Sequence, residues 1–171
     1  VRKPKLCAGE EKNVKLTYAE DFRNAFARVG IGVDTHAFGR AQNYIVLGGV
    51  RVPSESGLVA HSDGDVLCHA VMDALLSAAG LKDIGHYFPD TNDEWKNADS
   101  MKMLAQVTAL IREQGFRPAN LSAAIQAEKP RLAGYIEAIK KSLAEALNLP
   151  ETAVGISAGT NEKLGYIGEG K

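Results

Sequence analysis

The sequence predicts an α/β (α+β) fold: a mixed sheet of four to five strands with helices packed on one face. Three observations carry this. Short stretches with a period of two, Val29-Gly-Ile31-Gly-Val33 foremost, alternate with longer stretches at helical spacing. Polar caps and glycine stops bound the helical stretches. The resulting order is β-β-β-α-α-β-α-β, which suits helices segregated to one side of a sheet.

Residues 1–27 differ from the rest. They are richer in Lys and Glu, contain Pro4 and Gly9, and read as a loose arm with one short strand, Val14 to Thr17. Thr17 and Glu20 then form a T-x-x-E capping pattern, which predicts a short helix over Tyr18–Phe26. From Arg28 onward, residues 28–171 read as one domain. Val29–Val33 is its first strand. Tyr44–Val52 is extended, with a hairpin at Gly48-Gly49. Val66–Ala79 is helical, with Ser62 or Asp63 as cap and Gly80 as stop. In the helix predicted over Asp99–Gln114, Leu104, Val107 and Leu110-Ile111 recur at helical spacing before Gly115. Ala119–Ala127 returns to strand. Pro130 suits the first turn of a helix carrying Leu132, Ile136, Ile139, Leu143 and Leu147, and Val154–Ala158 is the last strand.

The 171 residues are enough for one domain with a real core. A hydrophobic share of 45% and a charged share of 24% are those of a soluble globular protein. The formal net charge of -1 gives no reason to expect nucleic acid as partner, so any phosphate recognition must be local. No apolar run is long enough for a membrane span, and no secretory leader is recognisable. Cys7 and Cys68 form no zinc-type pair and no disulfide framework, which fits a reducing compartment.

The strongest constellation is Asp34-x-His36 followed by His61-Ser-Asp-Gly-Asp65-x-x-x-His69. On a strand Asp34 and His36 share a face, and on the following helix Asp65, His69 and Asp73 form one stripe. Asp34, His36 and His69 would supply three ligands and leave a fourth position open on a tetrahedral ion such as zinc. The alternative is a hydrogen-bonded polar core. The helix favours ligands: Leu67, Val71, Ala74, Leu75 and Ala78 lie on one side, Met72 and Leu76 on the other with His69. A helix apolar all round is buried, so its His and Asp residues need partners. His61 and Ser62 stand before the helix N-terminus, where they serve either a phosphate or only a cap. Phe88-Pro89-Asp90-Thr91-Asn92 and Gly159-Thr160-Asn161-Glu162-Lys163 are loops that could hold a metal–phosphate or simply connect elements.

Asp34-Thr-His36-Ala-Phe38-Gly39, Ala60-His61-Ser-Asp-Gly-Asp65-x-x-x-His69, Asp73-Ala-Leu-Leu76, Asp83-Ile-Gly85, Phe88-Pro-Asp-Thr91, Ala98-Asp-Ser100 and Glu162-Lys-Leu-Gly165 follow one another in the order of a known family. Over Arg28–Lys171 the chain resembles the 2-C-methyl-D-erythritol 2,4-cyclodiphosphate synthases. The resemblance implies a homotrimer with active sites between neighbouring subunits. It implies conversion of 4-diphosphocytidyl-2-C-methyl-D-erythritol 2-phosphate to the cyclic diphosphate with release of CMP, in non-mevalonate isoprenoid biosynthesis. By the same resemblance Asp34, His36 and His69 are zinc ligands, and Glu162 helps hold a second ion, magnesium or manganese. His61 and Thr160 stabilise the transition state. Asp83, Ile84 and Gly85 form the wall for the methylerythritol hydroxyls, with Phe88, Pro89, Asp90, Thr91 and Asn92 nearby, and Ser62 is among the substrate-binding residues. Ala127, Glu128, Lys129, Pro130, Arg131, Leu132 and Ala133 form the cytidine pocket. Gly159, Asn161 and Tyr166 complete the substrate contacts, and Asp65 orients ligands or caps the helix.

The chain departs from the family at several points. Asn92 stands where Asp is frequent, and Gly159-Thr160-Asn161 replaces a Thr-rich run. Glu169 stands where the family's tail commonly has an Arg and Lys171 where it has an acid, an exchange of charges that speaks against an arginine contact to the CMP phosphate. The family continues into a further strand beyond Lys171. Glu11–Asp21 resembles the end of a cytidylyltransferase of the same pathway, and the first residue is Val1, so a piece of a natural fusion is expected. A zinc phosphohydrolase and an inactive trimeric scaffold are the rival readings. The bacterial cytoplasm is the expected compartment, with the plastid as alternative.

Overall fold

The computed structural model describes residues 17–18 and 27–171. The arm elements expected over Val14–Thr17 and Tyr18–Phe26 lie outside the described residues, apart from Thr17 and Tyr18, which are in neither strand nor helix. In chain order the strands are β1 (Phe38–Arg40), β2 (Tyr44–Leu47), β3 (Val50–Pro53), β4 (Gly57–Leu58), β5 (Leu121–Gln126) and β6 (Val154–Gly159). The helices are α1 (Val66–Ala79), α2 (Ile84–Tyr87), α3 (Ser100–Glu113), α4 (Ile136–Leu147) and α5 (Gly165–Gly168), with short 3-10 turns at Asp93–Trp95 and Glu151–Ala153.

The strands β2 and β3 form the expected antiparallel hairpin, closed by Leu47 opposite Val50. Gly48 and Gly49 turn it at φ 57° and 76°, two successive positive values that a two-residue hairpin turn demands and that glycine adopts freely. Parallel strands need a crossover, and α4 lies between β5 and β6 to supply it, with Leu121 opposite Val154 and Gln126 opposite Gly159. The cores of α1, α3 and α4 meet the hairpin in one cluster that includes Leu47, Val52, Met72, Leu76, Leu104, Val107, Ile139 and Leu143. Each of these side chains is essentially excluded from water.

Four expectations are corrected. The described residues hold three two-stranded sheets, β1 with β4, β2 with β3 and β5 with β6, in place of one sheet of four to five strands. Val29–Val33 alternates, but in the sense opposite to a core strand: Val29, Ile31 and Val33 are 88%, 78% and 79% exposed. The inward positions are Gly30 and Gly32, because a Cβ there would run into the carbonyl oxygens of Ala74 and Ala70 on α1. The missing side chains let this extended segment lie directly on the helix rather than join a sheet. Pro130 does not open a helix. It follows a cis peptide bond, and α4 starts six residues later at Ile136.

The fourth correction concerns the cap of α1, which is Asp65 rather than Ser62 or Asp63. Asp65 is fully buried. Its Oδ1 accepts the N–H of Cys68 at 3.0 Å and of Gly48 at 2.9 Å, and its Oδ2 accepts the N–H of Gly49 at 2.7 Å. One carboxylate thus caps a helix and holds the hairpin turn against it. Gly80 ends α1 at φ 74°, as expected.

Asp99, by contrast, caps α3 from an exposed position, accepting the N–H groups of Met101 and Lys102. Replacing Asp99 with Ala removes a cap and should cost about 1 kcal/mol. Asp65→Ala also strands the buried Gly48 N–H and removes the cap on the turn at Gly49, and should cost about 3 kcal/mol. Urea unfolding of the two variants checks this, and equal losses would refute the added role of Asp65.

Candidate functional site

The close approach of Gly30 and Gly32 to α1 brings the following residues, Asp34 and His36, over His69 one turn into that helix. Asp34 Oδ2 lies 2.9 Å from His36 Nε2 and 3.1 Å from His69 Nδ1, and the two nitrogens are 3.3 Å apart. A tetrahedral ion with bonds of about 2.0–2.1 Å separates its ligands by about 3.3 Å. The three atoms therefore form nearly one face of such a polyhedron. Burial opposes ionisation of Asp34, but hydrogen bonds from His36 and His69, the charge of His36 and the Thr35 N–H outweigh it. The carboxyl is held well below the usual carboxylate range. The group fits a metal ion on its donor chemistry: a carboxylate and two imidazoles of the expected triad bring their ligand atoms together.

Behind His69 lies a polar layer that the sequence reading did not single out. His69 Nε2 is 3.1 Å from Ser62 Oγ and 3.1 Å from Ser100 Oγ. Ser100 Oγ donates to Asp63 Oδ1 at 2.5 Å, and Ser100 N–H donates to Asp63 Oδ2 at 3.0 Å. Ser62 and Ser100 are both buried. The signal in the sequence is the Asp99-Ser100 pair, a serine directly after a capping aspartate. Ser62 was expected beside a phosphate at the N-terminus of α1. Its hydroxyl points inward instead, accepting the Gly64 N–H, and Asp65 caps the helix.

His61 is half-buried and its Nε2 has no hydrogen-bond partner. Its carbonyl accepts the Asn97 N–H at 2.8 Å, which ties it to the loop before α3. Asp83 caps α2 by accepting the His86 N–H, and Asp73 of α1 accepts the Ile84 N–H at 2.8 Å, so α1 also positions the Asp83–Gly85 turn. Phe88 packs edge-on against Trp95, with ring centroids 4.9 Å apart, across the loop that contains Pro89, Asp90, Thr91 and Asn92.

A cavity of about 330 Å³ opens beside the triad. Asp34 and His36 line it together with Ala127, Glu128, Leu132 and Tyr166. Its lining lacks His61, the Asp83–Gly85 turn, the Phe88–Asn92 loop, Thr160 and Glu162. Glu128 links the cavity to the last of these: its Oε1 accepts the N–H groups of Asn161 and Lys163, each at 3.0 Å. The turn it holds has Glu162 at φ 52° and Lys163 at φ 60°, and Thr160 Oγ1 donates to Glu162 Oε1 at 3.0 Å. Lys129 and Arg131 are exposed, Lys129 in a surface pair with Glu55.

Fold and site together define an α/β domain in which one carboxylate and two imidazoles are placed to hold a single metal ion beside a cavity. The chain belongs to the YgbB family, whose model matches residues 27–171. It is 48% identical over 141 residues to the 2-C-methyl-D-erythritol 2,4-cyclodiphosphate synthase of Chlorobaculum tepidum, covering 82% of this chain and 89% of that one. Identity to the synthase of Nitrosococcus oceani is 51% over 141 residues, with the same coverage. Among solved structures, the bifunctional IspDF of Campylobacter jejuni matches 96% of this chain with a TM-score of 0.81 and 40% identity. This chain spans 46% of that protein. A 2C-methyl-D-erythritol-2,4-cyclodiphosphate synthase in a form bound to CDP matches 80% of this chain and 91% of its own, with a TM-score of 0.75 and 36% identity.

Cys68 shares this interior. It is fully buried, and its thiol donates to Met101 Sδ at 3.3 Å. Burial first, then the nearby Asp65, Asp63 and Asp99, pushes the thiol well above its ordinary range, so it stays protonated. Cys68 should react with iodoacetamide only through opening of the fold. An opening that costs about 3 kcal/mol or more slows labelling about 100-fold or more against urea-unfolded protein. Mass mapping of the Cys68 peptide checks this.

Proposed function

We infer that this chain converts 4-diphosphocytidyl-2-C-methyl-D-erythritol 2-phosphate to 2-C-methyl-D-erythritol 2,4-cyclodiphosphate with release of CMP. The observation that carries the reading is the convergence of Asp34, His36 and His69 in a chain of this family. The physical problem is to bring two anionic phosphates together, since the 2-phosphate must attack the β-phosphorus and CMP must leave. The net charge of -1 offers no general attraction, so placed groups must do it.

Asp34, His36 and His69 hold zinc, and Glu162 helps hold magnesium or manganese. Such ions supply charge neutralisation and in-line positioning of phosphoryl groups. His61 offers its unpartnered Nε2 and Thr160 its hydroxyl to the charge that develops in the transition state. The residues Asp83, Ile84 and Gly85 take the methylerythritol hydroxyls, with the Phe88–Asn92 loop beside them. Ala127–Ala133 takes the cytidine, and Gly159, Asn161 and Tyr166 border the diphosphate. The CDP-bound structure above supports a cytidine nucleotide as ligand.

Self-association as a homotrimer is part of the reading. Two features support it: the exposed row of Val29, Ile31 and Val33 is the kind of apolar surface that marks an interface. The triad's cavity also lacks Thr160 and Glu162 from its own chain, as a site shared between subunits would. Residues 28–171 are the synthase domain and 1–27 an arm from the end of an upstream cytidylyltransferase. The match to the bifunctional Campylobacter jejuni protein supports this, because it covers more than residues 27–171 alone supply. No helix among the described residues is long and apolar enough to cross a membrane. The bacterial sources of the relatives support the cytoplasm as compartment.

Phosphorus NMR of the chain with substrate, zinc and magnesium should show CMP together with a cyclic diphosphate. A linear phosphate product would mean a hydrolase, and no turnover by any form of the chain a binding scaffold. His36→Ala should lose zinc and turnover together, and full zinc retention would refute the ligand assignment. Glu162→Gln should keep zinc but lower kcat about 100-fold, the equivalent of about 3 kcal/mol.

A further inference from the structure

The buried Nε2 of His61 has no hydrogen-bond partner, so no bond at that nitrogen orients the ring. Where the ring points is left to the backbone that carries it. That backbone is held at three successive residues. The His61 carbonyl accepts the Asn97 N–H at 2.8 Å, and the Asp63 N–H donates to the Ala98 carbonyl at 3.0 Å. Between them, the Ser62 carbonyl accepts from Arg40 Nη1 at 3.1 Å. The other arm of the same guanidinium, Nη2, donates to Asn97 Oδ1 at 2.8 Å. One side chain thus joins the residue that follows His61 to the residue that holds His61.

The geometry leaves no choice of donor and acceptor here. A guanidinium carries only donors, so Asn97 must turn its oxygen toward Arg40. Among the described residues Arg40 forms no ion pair with a carboxylate, and its donors go to these two neutral oxygens. Arg40 is placed from outside the site: it ends β1, opposite Gly57 of β4, and the Val59 N–H continues that pairing to the Ala37 carbonyl at 2.8 Å. Asn97 stands at φ 58°, in the left-handed region, which asparagine tolerates better than most side chains. Its backbone can therefore reach His61 while its side chain meets Arg40. A lysine at position 40 would offer a point charge in place of this fork.

Resting on the reading of His61 above, we propose that Arg40, acting with Asn97, is a positioning residue that sets the direction of the His61 ring. The zinc ligands stand on other elements, Asp34 and His36 on the segment laid against α1 and His69 on α1, so zinc affinity serves as the control. The test uses the full chain. In the wild type, NMR couplings of labelled His61 should report a single χ1 rotamer, and in Arg40→Ala an average over several. With substrate, zinc and magnesium, Arg40→Ala and Arg40→Lys should each lower kcat about 10-fold at unchanged KM and zinc affinity. Asn97→Gly keeps the left-handed backbone and the N–H for His61, and should lose less. In the His61→Ala background, Arg40→Ala should have no further effect, because a residue that acts through His61 has nothing left to position.

The outcomes separate the two claims. Full turnover by His61→Ala overturns the reading of His61 itself. Losses from Arg40→Ala and His61→Ala that simply add, or a loss of zinc affinity in Arg40→Ala, overturn the role of Arg40 alone. So does a wild-type His61 that already averages over rotamers, a measurement that needs neither turnover nor a folded variant.

Discussion

The carboxylate of Asp65 has no exposure to water and three backbone N–H groups around it, from Gly48, Gly49 and Cys68. A buried charge is costly unless it is fully hydrogen-bonded, and here the bonds join elements far apart in sequence. They seat the β2–β3 turn on the first turn of α1. The start of α1 determines where His69 emerges one turn later, where Asp73 emerges the turn after, and so where the Ile84 N–H docks. Moving this cap would move the histidine and the Asp83–Gly85 turn together.

The second constraint is the close approach of Arg28–Asp34 to the same helix. Arg28 donates to the Ala79 carbonyl at the C-terminal end of α1 and stacks over Phe116, 4.4 Å from the ring centroid. Gly30 and Gly32 then let the backbone follow α1 at a distance that no side chain permits. Packing of backbone on helix, rather than ladder bonds, delivers Asp34 and His36 to His69. The apolar side chains that a sheet strand would have buried are left on the outside as an exposed row, which is the cost of this arrangement.

Around the triad, the electrostatic demands are met in layers. Asp34 stays ionised although half-buried, because two imidazoles and the Thr35 N–H face it. The far side of His69 meets neutral hydroxyls backed by a carboxylate, so its two nitrogens have different surroundings. The loop carrying Thr160 and Glu162 depends on Glu128, whose single oxygen holds two N–H groups of a turn with two left-handed non-glycine residues. Without such anchoring that turn would be strained.

Much of this was legible in the residues. The hairpin at Gly48-Gly49, the span of α1 from Val66 to Gly80, and α3 up to Gly115 follow from local chemistry: positive φ for glycine, helical spacing and stops. The Asp34-x-His36 pair and His69 were legible as donors because residue types and spacing are local properties. What the tertiary structure alone decided was every choice that depends on a distant neighbour. Period two at Val29–Val33 reads the same whether its apolar or its glycine face turns inward, and only contact with α1 selects the glycines. Asp63 and Asp65 are equally good caps in sequence; the hairpin N–H groups select Asp65 and leave Asp63 for Ser100. Sequence by itself therefore determined the elements and the donor chemistry, because those depend on near neighbours, and tertiary structure decided the partners, because a buried polar group is satisfied only by what folding brings to it.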